Sequence, residues 1–287
     1  MQQNTIGLIG VGLVGTALAE RLLAAGCNVI GFDLNQDSLR NLQAVGGQPA
    51  TNASAVFATA STIFLSLPTS AIASQLLAEV SDLIPQKTII DTTTGEPAET
   101  QEIGQSLAAR GARYLDATIA GSSAQVRSAE AIVMVGGDAN TVADCRHLLD
   151  TFSARVFHVG SWGAGARTKL VVNLVLGLHR AVLAEALCFA ERTGVDPQLA
   201  LEILRAGPAY SRVMDTKAKK MLDGDFEPQA RLSQHLKDVR LILASGSVHQ
   251  AQLPLSSLHL QLLEHLDREG FGALDNSAII KAFQQQA

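Results

Sequence analysis

A glycine-rich turn near the N-terminus is the feature that most restricts the fold. Residues 5–9 are a short run of strand-forming residues, and residues 16–25 have a helical pattern. The turn between them consists of Gly10, Val11, Gly12, Leu13, Val14 and Gly15. In a strand–turn–helix unit of this kind, the three glycines permit a tight turn, close approach of a pyrophosphate, and close packing of the helix on the strand. Because the free N–H groups at the helix start favour an anion, we predict that this turn binds a dinucleotide.

An acidic residue follows the turn at a suitable distance. The second predicted strand, residues 27–32, is followed directly by Asp33, which lies 18 positions after Gly15. A carboxylate there accepts hydrogen bonds from the ribose hydroxyls of adenosine. The same charge repels a 2′-phosphate, and residues 34–36 contain no arginine. We therefore predict a preference for NAD over NADP. The alternative is an ordinary strand–helix–strand unit whose glycine turn binds nothing.

Strand-like and helical segments alternate up to about residue 158. The further predicted strands are residues 62–67, 87–91, 112–116, 131–135 and 155–158. This alternation predicts a parallel, doubly wound α/β sheet with a nucleotide at the carboxyl edge of its strands. Every periodic segment after residue 162 is helical. We predict a Rossmann-type sheet domain over residues 1–161 and an all-α domain over residues 162–287, joined by a long shared helix.

Hydroxyl-rich segments follow three of the predicted strands, after positions 67, 91 and 116. Because these segments leave the carboxyl edge of the predicted sheet, they are candidates for contact with the cofactor and with a small polar substrate. The cofactor candidates among them are Leu67, Pro68, Thr69 and Thr93. The third segment is a predicted loop over residues 118–123. Any single hydroxyl in these segments can equally be a helix N-cap or part of a turn.

A long helical pattern runs from about residue 163 to residue 193, which corresponds to a helix of roughly 45 Å. Lys169 and Asn173 lie four residues apart and share one face, and Gly177 continues the same row. Their neighbours are apolar, so the charge of Lys169 is costly to maintain. This pattern favours a general acid/base lysine with an asparagine beside it that holds a substrate oxygen. The alternative is a lysine near a helix end whose ammonium group reaches water.

Composition narrows the remaining classes of function. The net charge is −5 and no basic stripe is present, which argues against a nucleic-acid partner. The three cysteines and seven histidines have no disulfide or metal-ligand spacing. Residues 1–5 lack the basic start of a signal peptide, and no uninterrupted apolar run reaches the length of a membrane span. We expect a cytoplasmic protein that binds neither a metal ion nor a membrane.

Taken in order, the motifs resemble the β-hydroxyacid dehydrogenase family, which includes 3-hydroxyisobutyrate dehydrogenase and tartronate semialdehyde reductase. The resemblance extends over essentially the whole chain. It rests on the glycine turn, Asp91 with three threonines, the segment from Asp116 to Ser122, Gly163 and Gly165 before Lys169 and Asn173, the Asp225-Phe226 segment, Lys237-Asp238, and Asp275-Asn276-Ser277.

The resemblance implies hydride transfer between a nicotinamide cofactor and a small 3-hydroxy acid or semialdehyde, of the 3-hydroxyisobutyrate or 2-hydroxy-3-oxopropionate type, without a metal ion. It implies a general acid/base role for Lys169, and substrate contacts from Asn173 and Lys237, with Lys237 also near the nicotinamide. A substrate-binding loop is implied at Gly121, Ser122 and Ser123. The resemblance and the apolar surface of the long helix together predict a homodimer or homotetramer.

The substrate loop departs from the family pattern. Thr118 replaces a proline, Ala120 replaces a serine, and Ser122 replaces a glycine. The missing serine would help to hold a substrate carboxylate, and Ser122 or Ser123 could take its place. These departures leave the substrate open. They also leave two alternatives: a dinucleotide-binding protein with impaired catalysis, and a family member that acts on a different small carbonyl or imine.

Overall fold

One eight-stranded sheet forms the centre of the first part of the chain. The structure is a computed structural model that describes residues 4–284, so residues 1–3, considered above for a signal peptide, lie outside the described range. Contacts divide the chain into two compact units, with the division between Lys169 and Leu170. The strands are β1 (Thr5–Ile9), β2 (Asn28–Phe32), β3 (Gln48–Pro49), β4 (Thr62–Leu65), β5 (Thr88–Asp91), β6 (Arg113–Ala120), β7 (Ala131–Gly137) and β8 (Ser153–Gly160).

The strand order is β3-β2-β1-β4-β5-β6-β7-β8. Helices connect the strands, and a short 3₁₀ helix at Ser81–Leu83 lies between β4 and β5 in the chain. The helices are α1 (Leu13–Ala24), α2 (Gln36–Ala44), α3 (Ala53–Thr59), α4 (Ser70–Glu79), α5 (Pro97–Ala109), α6 (Ser123–Arg127) and α7 (Ala139–Leu149). This order confirms the predicted doubly wound, Rossmann-type architecture.

The sheet is not parallel throughout, contrary to the prediction. β6 and β7 are antiparallel, and β8 is parallel to β7. The reason lies in the connection, because only ten residues separate Ala120 from Ala131. A parallel crossover needs about a dozen residues or more. The five-residue helix α6 is therefore part of a return connection, and β7 runs back along β6.

Pairing with β7 also lengthens β6 beyond its predicted end. The sequence placed residues 118–123 in a loop, but Thr118 pairs with Met134 and Ala120 pairs with Ile132 in the sheet. The loop prediction is therefore wrong for residues 118–120. Thr118 is fully buried, with a relative exposure of 0%, because it lies within a paired strand and not in a surface turn.

The sheet is covered on both faces, which explains why its central strands are apolar runs rather than alternating ones. In β4, Ile63 and Leu65 belong to one hydrophobic core and Phe64 to the other. Phe64 makes an edge-to-face contact with Phe152, with ring centroids 6.1 Å apart. The first unit therefore has a core on each side of the sheet.

The second unit is helical. Helix α8 (Ala164–Arg192) contributes its first six residues to the first unit and the rest to the second. It is followed by α9 (Pro197–Ala206), α10 (Arg212–Asp223), α11 (Leu232–Val248), α12 (Pro254–Arg268), and 3₁₀ helices at Phe271–Ala273 and Asn276–Ala282. The last predicted helix, residues 276–285, is thus a 3₁₀ helix as far as Ala282, and residue 285 lies outside the described range.

Within residues 4–284, α8 is the one helix long and apolar enough to cross a membrane by length and composition. Its most apolar 18 residues have a mean hydropathy of 1.7, and 44% of that window is buried inside the chain. Core helices of globular proteins have the same properties. Several of its apolar residues, including Leu183, Ala184 and Leu187, belong to the core of the helical unit.

A buried ion pair connects α10 to the segment before the last 3₁₀ helix. Lys217 Nζ lies 2.8 Å and 2.9 Å from the two carboxylate oxygens of Asp275, whose residue exposure is 0%. Burial lowers the pKa of Lys217 despite the attraction of Asp275. Burial by itself would raise the pKa of Asp275, but Lys217 and the N–H groups of Gln229 and Ser277 bind the carboxylate and lower it.

Removing one partner of this pair leaves a buried charge without compensation, which typically costs about 3–5 kcal/mol. We therefore expect Asp275→Ala to lower the free energy of unfolding by about that amount, as measured by urea denaturation followed by circular dichroism. Asp223→Ala is the matched control because it breaks the exposed pair with Lys219, and it should hardly move the midpoint. Equal effects of the two substitutions would contradict this description of the core.

Candidate active site

The glycine turn between β1 and α1 is tightly packed at its first and third glycines and open at its second. A Cβ on Gly10, where φ is +89°, would lie 2.3 Å from the Ser66 carbonyl oxygen, and one on Gly15 would lie 2.0 Å from the Gly10 oxygen. A Cβ on Gly12 would have no described atom within 4 Å. Gly12 is the N-cap of α1, and no side chain caps this helix. The turn therefore offers open space and backbone N–H donors, which fits the pyrophosphate of a dinucleotide.

Asp33 contacts the glycine turn directly. Its Oδ2 accepts a 2.7 Å hydrogen bond from the Val11 N–H, and its Oδ1 accepts a 2.8 Å hydrogen bond from the Asn35 N–H. Each carboxylate oxygen can accept a further hydrogen bond, so the ribose hydroxyls of a dinucleotide could still be bound. Of the other turn residues, Leu13 is 45% exposed and Val14 is partly buried.

Two of the predicted cofactor segments meet at the carboxyl edge of the sheet. The Leu67 N–H donates to Thr93 Oγ1 at 3.1 Å, and the Thr93 N–H donates to Asp91 Oδ1 at 2.9 Å. Leu67 and Thr93, predicted separately, are therefore neighbours. Thr69 accepts a 3.2 Å hydrogen bond from the Ile72 N–H and caps α4, and Pro68 precedes it on the surface.

A pair of buried carboxyl groups lies beside this edge. Asp91 on β5 and Asp116 on β6 are register partners, and Asp91 Oδ2 accepts a 2.9 Å hydrogen bond from the Tyr114 hydroxyl. Burial raises the pKa of Asp91. It also raises the pKa of Asp116 to about 7, and Asp91 adds to the rise, against the opposing effect of backbone N–H groups from the start of α8.

The predicted substrate loop forms the start of a helix. Gly121 leaves β6 with φ +156°, and Ser122 is the N-cap of α6. Ser122 Oγ accepts from the Gln125 N–H at 3.4 Å, and Gln125 Oε1 accepts from the Ser122 N–H at 2.9 Å. Ser123 is buried, with 5% exposure. The spacing of Ser122 and Gln125 is a capping-box signal that the sequence reading missed.

Lys169 and Asn173 both lie on α8, one turn apart, and both are buried, with 8% and 6% exposure. Asn173 Nδ2 donates to Asp238 Oδ2 at 2.8 Å, and Lys237 Nζ lies 3.1 Å from Asp238 Oδ1. In the helical unit, Asp238 therefore brings together Asn173 and Lys237, which were predicted separately. Asp238 was not a predicted site residue, although its place directly after Lys237 in the motif could have indicated it.

Gly177, the next position in the row of Lys169 and Asn173, is explained by packing. A Cβ at this position would lie 2.4 Å from His235 Nε2 and 2.8 Å from His259 Cε1. The two imidazole rings have centroids 5.2 Å apart. Burial lowers the pKa of His259 to about 4, and Arg180 adds to the effect. The glycine therefore allows an imidazole pair to pack against the backbone of α8.

The two parts of the chain match two families of known domains. Residues 5–160 match the family described as the NAD binding domain of 6-phosphogluconate dehydrogenase, and residues 163–283 match the family described as NAD-binding of NADP-dependent 3-hydroxyisobutyrate dehydrogenase. The 2-(hydroxymethyl)glutarate dehydrogenase of Eubacterium barkeri is 30% identical over 285 residues, which cover 98% of this chain and 95% of that protein. The chain belongs to the β-hydroxyacid dehydrogenase family.

Other members agree with this assignment. The L-threonate dehydrogenase of Cupriavidus necator is 29% identical over 289 residues, which cover 99% of this chain and 97% of that protein. The solved structure of a 3-hydroxyisobutyrate dehydrogenase from Salmonella typhimurium has a TM-score of 0.90 and 27% identity, covering 98% of this chain and 100% of that one. This β-hydroxyacid dehydrogenase is thus an NAD(P)-dependent enzyme that acts on CH–OH groups. In the described residues, no group of three His, Cys, Asp or Glu side chains is arranged to hold a metal ion.

The three glycines of the turn should differ in their response to substitution. Gly12→Ala should leave the thermal midpoint nearly unchanged, because its Cβ meets no described atom within 4 Å, but should weaken NADH binding by crowding the pyrophosphate. Gly15→Ala should lower the thermal midpoint, because its Cβ would lie 2.0 Å from a backbone oxygen. Thermal unfolding and fluorescence titration with NADH measure both effects. A Gly12→Ala variant with unchanged affinity for NADH would contradict this placement of the cofactor.

Proposed function

We propose that this enzyme transfers a hydride between a nicotinamide cofactor and the carbinol or aldehyde carbon of a small 3-hydroxy acid, with Lys169 as general acid/base and without a metal ion. The observation that carries the proposal is the buried Lys169 on a regular helix with the buried Asn173 one turn later. A buried ammonium group is costly, and such groups are a common feature of sites that exchange protons.

Each side chain has a distinct task in this mechanism. The bound nicotinamide supplies the acceptor or donor of the hydride. As the neutral amine, Lys169 takes the hydroxyl proton while the carbonyl group forms. In the reverse direction its ammonium group stabilises the developing alkoxide and then returns the proton. Asp238 holds one N–H of Asn173, so the remaining N–H and Oδ1 of Asn173 can bind a substrate hydroxyl or carbonyl oxygen.

Lys237 differs from Lys169 in its surroundings. Its side chain is 25% exposed, and its Nζ lies 3.1 Å from Asp238. Its ammonium group therefore has both a carboxylate partner and contact with water. We assign Lys237 to substrate and cofactor binding, where a positive charge attracts a carboxylate or a phosphate group. Gly121, Ser122 and Ser123 are proposed to lie beside the substrate, with the backbone N–H groups of Gly121 and Ser123 as donors, because the Ser122 N–H already donates to Gln125 Oε1 and Ser122 is the N-cap of α6.

The proposed substrates have a carboxylate near the carbinol carbon: 3-hydroxyisobutyrate and 2-hydroxy-3-oxopropionate. The names of the two relatives above add 2-(hydroxymethyl)glutarate and L-threonate to the compounds that should be assayed. Ala120, in place of the family's serine, favours the second candidate function, a dinucleotide-binding protein with impaired catalysis. NADH binding without turnover of any of the four compounds would support that second function. We propose action in the cytoplasm, in keeping with the dehydrogenase fold.

Exchange of the acid/base group should affect the chemical step more than binding. Lys169→Ala should lower kcat by about 10²–10⁴-fold, the usual contribution of general acid/base catalysis, and should leave the NADH dissociation constant nearly unchanged. Lys237→Ala should chiefly raise KM, because it removes a charge that attracts the substrate or the cofactor. Steady-state kinetics with the best substrate of the four tests both. A near-normal kcat in Lys169→Ala together with an inactive Lys237→Ala would reverse the assignment.

NAD is proposed as the preferred cofactor, because Asp33 lies at the glycine turn and the next residue, Leu34, is 90% exposed and carries no charge. The ratio of kcat/KM for NAD to that for NADP should therefore exceed one. Asp33→Ala should reduce the ratio, because it removes the repulsion of the 2′-phosphate. The measurement is an assay with both cofactors at saturating substrate. A wild-type preference for NADP would disprove the proposal.

A homodimer or homotetramer is proposed from the outer face of α8. Val171, Val175, Val182 and Phe189 are 43–69% exposed and recur at helical spacing. Light scattering of the wild type should give a mass above that of one 30.2 kDa chain. Replacement of Val182 and Phe189 by glutamate should shift the protein toward the monomer. A wild type that stays monomeric at every concentration would refute this proposal.

A further inference from the structure

The first turn of α8 lies directly against the backbone of β6 and β7. A Cβ on Gly165 would lie 2.5 Å from the Asp116 carbonyl oxygen and 2.8 Å from the Met134 carbonyl oxygen. Distances this short are available only to a residue without a side chain. The helix backbone therefore touches two strands at the point where the helix begins.

Two buried side chains of β6 form hydrogen bonds with this turn from one face of the strand. Asp116 Oδ2 accepts the Ala166 N–H at 2.9 Å, and the Thr118 hydroxyl donates to the Gly165 carbonyl oxygen at 3.0 Å. Asp116 and Thr118 are two residues apart and have exposures of 1% and 0%. Asp116 thus accepts a hydrogen bond from one backbone group of the helix, and Thr118 donates a hydrogen bond to a backbone group of the preceding residue.

The Thr118 hydroxyl donates to Gly165, which lies one helical turn before Lys169. In a regular α-helix the Gly165 carbonyl oxygen accepts the backbone N–H of Lys169. Helical side chains lean toward the preceding turn, so the side chain of Lys169 extends over the turn that Thr118 holds. A movement of Gly165 would therefore move both the backbone and the side chain of Lys169.

We propose that Thr118 is a positioning residue whose hydroxyl, together with the carboxylate of Asp116, fixes the first turn of α8 and hence the position of Lys169 for proton transfer. The proposal rests on the proposed function of Lys169. It assigns a role to a residue at which the chain departs from the family pattern, since a proline at position 118 has no hydroxyl to donate.

The test compares Thr118→Val, which keeps the shape and removes the hydroxyl, with Thr118→Ser, which keeps the hydroxyl. With NAD and the best of the four hydroxy acids or semialdehydes named above, Thr118→Val should lower kcat about tenfold, because small displacements of reacting groups cost up to about 10²-fold in rate. KM and NADH affinity should change little. Thr118→Ser should keep most of the wild-type kcat. If the valine variant fails to fold, Thr118→Ala replaces it in the comparison with Thr118→Ser.

A double-mutant cycle shows whether Thr118 acts through Lys169. In the Lys169→Ala background, Thr118→Val should have no further effect on kcat, because residues that act as a unit are not additive. If Thr118→Val lowers kcat by the same factor with and without Lys169→Ala, the proposal is overturned, and a wild-type kcat in Thr118→Val would also overturn it. If Lys169→Ala itself keeps the wild-type kcat, the proposed function fails and the positioning role fails with it. If Lys169→Ala lowers kcat but Thr118→Val does not, only the positioning role of Thr118 is overturned.

Hydrogen exchange gives a readout that does not need turnover. In a peptide that covers residues 163–172, amide exchange should be faster in Thr118→Val than in the wild type and should return toward the wild-type rate in Thr118→Ser. The single tryptophan, Trp162, whose indole N–H donates to the Tyr114 carbonyl oxygen at 2.9 Å, reports on the same turn by fluorescence. Unchanged exchange and unchanged Trp162 fluorescence in Thr118→Val would overturn the proposal even if no substrate is turned over.

Discussion

The close approach of the α8 backbone to β6 and β7 is the constraint on which much of this structure depends. It requires a glycine at position 165, where a Cβ would lie 2.5 Å from a strand carbonyl oxygen. It also requires Asp116 as a buried acceptor for the first N–H groups of the helix. A carboxylate is well suited to that place, because a helix N-terminus has unpaired N–H donors and a favourable dipole. The helix that begins there includes both Lys169 and Asn173 and then forms part of the core of the helical unit.

The helical unit holds several polar side chains away from water, and each such group needs a compensating partner. Asp275 is bound by Lys217 and by backbone N–H groups, whereas Asp238 is bound by Asn173 and Lys237. The first arrangement holds helix α10 to the last 3₁₀ segment. The second arrangement holds the side-chain amide of Asn173, the residue proposed to bind a substrate oxygen. Replacement of either aspartate would leave a neighbouring polar group without compensation.

Local signals in the sequence were sufficient for the parts of the fold that depend on local chemistry. The glycine turn and Asp33 were predicted because their spacing follows from the geometry of a strand–helix–strand unit, and the structure does bring Val11 and Asp33 together. The antiparallel β7 could not be read from the composition of the strand, since direction depends on the length of the connection. Thr118 was placed in a loop because the sequence did not show that β6 pairs with β7 as far as Ala120. The contact between Asp238 and Asn173 joins residues 65 positions apart, and no local pattern in the sequence contains it.

The most direct test of the central claim, that Lys169 exchanges the proton, is chemical rescue. A small primary amine such as methylamine can replace a missing lysine side chain if the space left by the substitution admits it. We expect the kcat of Lys169→Ala to rise with the concentration of the neutral amine, and to rise more for amines of higher basicity, as Brønsted behaviour requires. Lys237→Ala should not respond in this way, because its role is charge attraction. Rescue of Lys237→Ala but not of Lys169→Ala would contradict the account.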